Sequence, residues 1–242
     1  MGVVQSVLKD LVLIPVHTKP TDSEKELDEL YDVFLTVKKK WKTDNVMILG
    51  DFNADGAYVS NKKMKGIRIR SDKNFHWLIG DDVDTTASKG NAHSYDRIVV
   101  YGDDMLNAVV PNTAQPFNFQ KALRLTEEEA LRVSDHYPVE VELKMRVSGG
   151  QILKDLVLIP VHTKPTDSEK ELDELYDVFL TVKKKWKTDN VMILGDFNAD
   201  GAYVSNKKMK GIRIRSDKNF HWLIGDDVDT TASKGNAHSY DR

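Results

Sequence analysis

Residues Leu8 to Arg97 recur without a single change as Leu153 to Arg242, 145 positions further on in a chain of 242. Two identical segments must share local preferences, yet one chain can place them in different surroundings. The unit is far longer than solenoid repeats, which run to roughly 20–50 residues, so a duplicated subdomain is expected. Copies in different surroundings would be expected to diverge. Perfect identity therefore points to a very recent duplication, an artificial fusion or a faulty gene assembly. A unique stretch, Ile98–Ile152, separates the copies. The expected divisions are 8–147 for the first unit with its unique extension, 148–152 for a joint carrying Ser148-Gly149-Gly150, and 153–242 for the second copy. Copy 2 stops where copy 1 continues into "IVVYG", and so reads as a fragment.

Each copy opens with "DLVLIPVH" (Asp10–His17), a near-continuous apolar run that suits a strand buried on both faces. Thr21-Asp22-Ser23-Glu24 supplies capping side chains and N-terminal acids for a helix. Leu27, Leu30, Tyr31, Phe34, Val37 and Trp41 follow helical spacing, and Lys38–Lys42 put positive charge at the helix end. Val46–Leu49 predicts the next strand. A strand–helix–strand unit makes parallel strands through a right-handed crossover. His17 and Asp51 then lie at the C-terminal ends of neighbouring strands. Asp51 and Asn53, two apart in extended chain, are expected to point to one side.

Two later strands begin with polar chemistry instead. "YDRIVVYG" puts Asp96 before Ile98–Tyr101, and "SDHYPVEVELKM" puts Asp135 and His136 before Val139, Val141 and Leu143. Pro138 holds Tyr137 extended and suits an early or edge position. If these strands run antiparallel to the first pair, His17, Asp51, Asn53, Asp96, Asp135 and His136 share one rim.

Composition narrows the chemistry of that rim. The chain has no cysteine, which excludes disulfides and thiolate metal sites and allows a reducing compartment. Carboxylate and amide oxygens suit a hard cation such as Mg2+. Two histidines beside carboxylates suit proton transfer to and from a hydrolysed ester, and cation-assisted phosphodiester hydrolysis fits the set. Each element alone has a plainer explanation, since an Asp after a strand is ordinarily a turn or cap residue. Convergence of four such elements carries the functional reading.

The net charge is −3, with both signs interspersed over 30% charged residues, so composition announces no nucleic-acid partner. The lysines of "NKKMKGIRIR" (Asn61–Arg70) could touch a nucleic-acid backbone, although a solvated face explains them more simply. Apolar runs are strand-length, and no transmembrane span is expected. "MGVVQSVLKD" lacks a signal peptide's basic and apolar regions. That absence, with the lack of cysteine, favours cytoplasm or nucleus. Gly2 and Ser6 match the N-myristoylation pattern, but a small second residue is the ordinary explanation, and one acyl chain anchors weakly.

"IPVHTKP", "VMILGDFNA", "DTTA…SYDRIVV" and "SDHYPVEVEL" stand in this order over Leu8–Lys144. They resemble the C-terminal half of the deoxyribonuclease I family, within the endonuclease/exonuclease/phosphatase superfamily. The resemblance implies an α/β fold of mixed-sheet layers flanked by helices, two sheets packed as a sandwich. It implies a Mg2+- (or Mn2+-) dependent endodeoxyribonuclease acting on DNA, in a family whose members are often secreted. His17 and His136 would be the catalytic acid/base pair, with Asp96 orienting His136. Asp51, Asn53 and Asp135 match positions that bind the metal or the scissile phosphate. Asn53, Tyr58 and Tyr95 fall where the family approaches DNA. Asp84 and Thr86 resemble a structural Ca2+ site, though the following loop is one residue longer. Relatives with a disulfide carry cysteines near Gly56 and His93.

The family's N-terminal half would supply an Asn, a metal-binding Glu, a Glu that orients the first histidine, and arginines. Nothing before Leu8 matches it, so the sandwich is expected to be incomplete and the activity impaired. Copy 2 holds His162, Asp196, Asn198 and Asp241 but no second "SDH". Because the family's halves are related by approximate symmetry, copy 2 is expected to cover copy 1's apolar face, which would otherwise favour aggregation. The alternative is a non-catalytic remnant that binds DNA or a protein, or a gene product without function. The sequence leaves the oligomeric state open.

Overall fold

A computed structural model describes residues 8, 10–90, 92–146, 152–201, 203–231 and 237–242. Gly2 and Ser6 lie outside these, as do the joint residues Ser148, Gly149 and Gly150.

Copy 1 forms β1 (Val12–His17), α1 (Ser23–Trp41), β2 (Val46–Asp51), the short α2 (Asn61–Met64) and α3 (Arg68–Ser71), β3 (Phe75–Trp77) and β4 (Asp96–Tyr101). The strands make one mixed sheet in the order β1-β2-β4-β3. β1 and β2 are parallel, as the crossover requires, and β4 runs antiparallel to β2. Pro15 sits on the edge strand β1, where its missing N–H costs no ladder bond.

The unique stretch forms α4 (Gly102–Ala108), β5 (Gln115–Pro116), α5 (Phe119–Leu123), α6 (Glu127–Val133), β6 (Val139–Glu140) and β7 (Glu142–Arg146). Thr126 and Glu129 close a reciprocal capping box at the start of α6. Copy 2 forms β8 (Ile152–His162), α7 (Ser168–Trp186), β9 (Val191–Asp196), α8 (Asn206–Met209) and α9 (Arg213–Ser216).

The strand after "SDH" does not join copy 1's sheet. It divides into β6, which pairs with β5, and β7, which pairs antiparallel with β8 of copy 2. Ile152, expected to end the joint, is instead the first residue of β8 and pairs with Arg146. The same segment of copy 1 begins its strand only at Val12, where its pairing with β2 begins. β7 covers the first half of β8 and β9 the second, so Pro160 again lies where one side of the strand is open.

The layers run helix, sheet, sheet, helix. Ile48 and Val99 on one face of the first sheet meet Leu27 and Phe34 of α1. Met47, Leu49, Ile98 and Val100 on the other face pack with Val141 and Leu143, and with Leu158 and Leu194 of copy 2. Val157 and Ile159 on copy 2's outer face meet Val178 and Val182 of α7 and Phe119 of the unique stretch. Copy 2 therefore covers the apolar face that copy 1 would otherwise expose. Each large side chain buried there contributes about 1.5–3 kcal/mol.

Identical residues end in unlike environments. Trp41, expected on the buried stripe of α1, is 59% exposed at the last residue of the helix. Its counterpart Trp186 donates from Nε1 to Glu140, 2.9 Å away. Leu78 packs against the central core, whereas Leu223 is 78% exposed. β3 secures Leu78 by pairing with β4, while Phe220–Trp222 pair with no strand among the described residues. No helix among the described residues is long and apolar enough to cross a membrane.

Candidate active site

The register of the first sheet sets His17 beside Asp51 and Asp51 beside Asp96, a row across three strand ends. Copy 2 repeats it, with His162 beside Asp196 and Asp196 bridged to Asp241. β2 needs a glycine one residue before its end, where Gly50 pairs with both Val16 and Arg97. Gly50 has φ +133°, and a Cβ there would lie 2.1 Å from the Val16 carbonyl oxygen.

His136 reaches this rim from the unique stretch. It forms an isolated antiparallel bridge with Thr86, and Tyr137 N–H donates to the Thr85 carbonyl at 2.7 Å. Thr85 Oγ1 also accepts the backbone N–H groups of Tyr95 and Asp96, at 3.0 and 3.1 Å. His136 Nδ1 then meets Asp96 Oδ2 at 2.9 Å. Thr85, which the sequence reading missed, thus aligns both partners. Tyr95 stacks on His136 at 5.7 Å between ring centroids, and Tyr58 stands behind Tyr95 at 5.6 Å.

Asp51 is the hub. It is 5% exposed, and its Oδ2 lies 3.8 Å from His17 Nε2, 3.9 Å from His136 Nδ1 and 3.8 Å from His162 Nδ1. The two copies' rows meet at this point. His17 and His162 stack with centroids 3.6 Å apart, and His17 Nδ1 lies 3.3 Å from Asp196 Oδ2. From the sequence, Asp196 is expected only as part of an incomplete second copy. Its approach to His17 depends on how the sheets pack, and local sequence carries no signal of it.

Charge follows geometry. Burial by itself would lower His136, but the Asp96 carboxylate, helped by Asp51 and Asp135, raises it to about 10. Burial also opposes charge on His17, yet its bond to Asp196 and the charge of Asp51 leave it raised. His162 is pushed down to about 4, first by burial and then by the positive charge of His17. Asp51 is raised by burial and by its neighbour Asp96. Tyr95 is pushed up to about 12, chiefly by burial.

The remaining expected residues are less uniform. Asn53 is not extended: its φ is +45°, and its side-chain amide donates to the Thr18 carbonyl at 2.9 Å. Asp51 Oδ1 accepts the Asn53 N–H at 2.9 Å, and this turn, not strand alternation, sets the residue's place. Asp135 is exposed beside His136. Asp84 Oδ1 accepts from the Thr86 N–H, the Thr86 hydroxyl and the His93 N–H, at 2.9, 2.7 and 3.2 Å. Gly56 and His93 do face each other, since a Cβ on Gly56 would lie 2.7 Å from His93 Cε1. Here His93 Nδ1 approaches Asp55 Oδ2 at 3.4 Å. Copy 2 repeats Asn53's turn, with Asn198 donating to the Thr163 carbonyl at 2.8 Å.

Among the described residues, two groups bring potential ligand atoms within 4.8 Å of one another: Asp51 with Asp96 and His136, and His17 with His162 and Asp196. The first fits a hard divalent cation by its donors. It holds two adjacent buried carboxylates, one with its acidity already weakened by burial and by the other.

A mixed α/β architecture with a histidine–carboxylate rim at its strand ends defines the class, and comparison with known proteins gives the family. Residues 2–136 match the model of the endonuclease/exonuclease/phosphatase family, and the chain belongs to that family. It is 53% identical over 136 residues to deoxyribonuclease gamma of Rattus norvegicus, covering 56% of this chain and 44% of that protein. It is 50% identical over 136 residues to deoxyribonuclease-1 of Oryctolagus cuniculus, covering 56% of this chain and 48% of that one. The chain thus spans about half the length of these relatives. Among solved structures, truncated Caenorhabditis elegans TDP2 aligns with a TM-score of 0.43 at 14% identity, over 96% of this chain and 80% of that one.

Proposed function

We propose that this chain is a divalent-metal-dependent endodeoxyribonuclease that hydrolyses phosphodiester bonds of DNA. The observation that carries the reading is the 2.9 Å bond from His136 to Asp96 on a rim where Asp51 stands within 4 Å of both His17 and His136. The similarity to two deoxyribonucleases supports DNA as the substrate.

In this reading Asp51 and Asp96, with Asn53 and Asp135 nearby, hold Mg2+ or Mn2+ or the scissile phosphate. The cation, when bound, offsets negative charge on the phosphate oxygens. His136 gives its Nδ1–H to Asp96 and stays protonated at neutral pH, so its Nε2–H serves as the acid for the leaving oxygen. His17, held at Nδ1 by Asp196, offers Nε2 as base toward water. Copy 2 thereby lends a carboxylate to a histidine of copy 1. Tyr58 and Tyr95 meet the DNA backbone, and Asp84 with Thr86 forms the Ca2+ site.

One observation favours a second reading. His162 covers a ring face of His17 at 3.6 Å and crowds the hollow a phosphate must enter. This supports weak catalysis, or a module that binds DNA without cleaving it.

Plasmid nicking by the full chain, with Mg2+ and Ca2+, decides between these. Slow nicking that disappears in His136→Ala is expected. Equal nicking by both chains would reject the assignment, and plasmid binding without nicking would select the second reading.

A further inference from the structure

The hydrolytic reading uses Asp51, Asp96 and His136, with His17 as base and Asp196 holding it, and leaves only His162 of the rim histidines without a task. Yet His162 belongs to the other compact set of potential ligands at the rim, formed with His17 and Asp196. Asp196 Oδ2 lies 3.3 Å from His17 Nδ1 and 3.9 Å from His162 Nε2. A four-coordinate ion bound at about 2.0–2.1 Å spaces its ligand atoms roughly 3.4 Å apart. The first pair already has that spacing, and the other atoms need side-chain shifts of about 1 Å.

We infer that His17, His162 and Asp196 form a binding site for a divalent transition ion such as Zn2+ or Co2+, which ties the strand end of copy 1 to that of copy 2. Two imidazoles and one carboxylate suit borderline ions, whereas Mg2+ prefers oxygen ligands and keeps its waters. The outer nitrogens, His17 Nε2 and His162 Nδ1, each face Asp51 Oδ2 at 3.8 Å, too far for a hydrogen bond but close enough for its charge to raise the basicity of both imidazoles. The ligands also start from fixed positions, because His17 and His162 occupy the last register pair of β1–β2 and β8–β9. Neither copy contains the site alone. It arises where two identical strand ends meet.

This inference concerns binding, and it stands or falls apart from nuclease activity. Titration of the metal-stripped full chain with Co2+, followed by visible absorption and thermal melting, tests it. Saturable one-to-one binding and a raised melting temperature are expected, and excess Mg2+ should not reverse them. His162→Ala should weaken binding by about tenfold or more. Asp196→Asn, which keeps the side-chain volume, guards against a fold defect in the first variant, with far-UV circular dichroism checking both. Absence of saturable binding, or equal affinity in wild type and both folded variants, would overturn the site.

Discussion

His17 and His162 are the same residue of two identical segments, stacked 3.6 Å apart, and their acidities diverge. His17 is raised above the ordinary 6.5, while His162 is pushed down to about 4. The asymmetry follows from the partners. His17 Nδ1 has Asp196 at 3.3 Å, whereas the nearest carboxylate to His162 among the described residues is 3.8 Å away, and His162 feels the charge of His17. A histidine-resolved NMR titration should show His162 neutral down to about pH 4 and His17 titrating above the ordinary range. Superimposable curves would contradict the packing of the two rims.

His136 should lose its raised pKa with its partner. Asp96→Asn removes the main charge that raises it to about 10, leaving burial to lower it. A raised folded-state value gives stability that is complete below the ordinary 6.5 and is lost as pH rises toward 10. Wild-type melting should therefore carry a downward component across that window, and Asp96→Asn should flatten it.

Glu171 lines the cavity beside His136 and His162 and gives a second pH test. Burial pushes it up to about 8 from the ordinary 4.5, against a bond from the Lys164 N–H. Its favourable state is the protonated one, so this contribution is full below 4.5 and lost as pH passes through 8. Glu171→Gln should melt higher than wild type at about pH 9, with a smaller difference near pH 5. A gap that does not change with pH would count against the burial of this carboxyl group.

The tryptophan pair gives an internal comparison. Trp186→Phe leaves Glu140, 1% exposed, without its 2.9 Å donor and should cost about 1–3 kcal/mol in urea unfolding. Trp41→Phe, at a residue 59% exposed, should stay within about 0.5 kcal/mol.

Gly50→Ala should destabilise by about 2–4 kcal/mol, since a methyl group would overlap the backbone of β1 in a conformation that disfavours side chains. A neutral result in the same unfolding measurement would show that β1 and β2 separate freely at this pair.

Much of copy 1 was legible in the sequence. Apolar runs and helical spacing placed β1, α1 and β2, and the crossover rule made the strands parallel. Strand ends then brought His17, Asp51 and Asp96 into a row, because register follows from those short-range patterns. Asn53 departs from strand alternation because a local hydrogen-bonded turn outweighs it.

The sequence by itself determined the local structure of both copies, which repeat the same helices and capping turns because those depend on neighbours within a few residues. Only the tertiary structure decided that β7 joins copy 2, that Glu171 is buried and that Asp196 faces His17. Identical segments carry identical short-range energies. What distinguishes them is which surfaces of the rest of the chain exclude water from each, and that is a property of the packed whole.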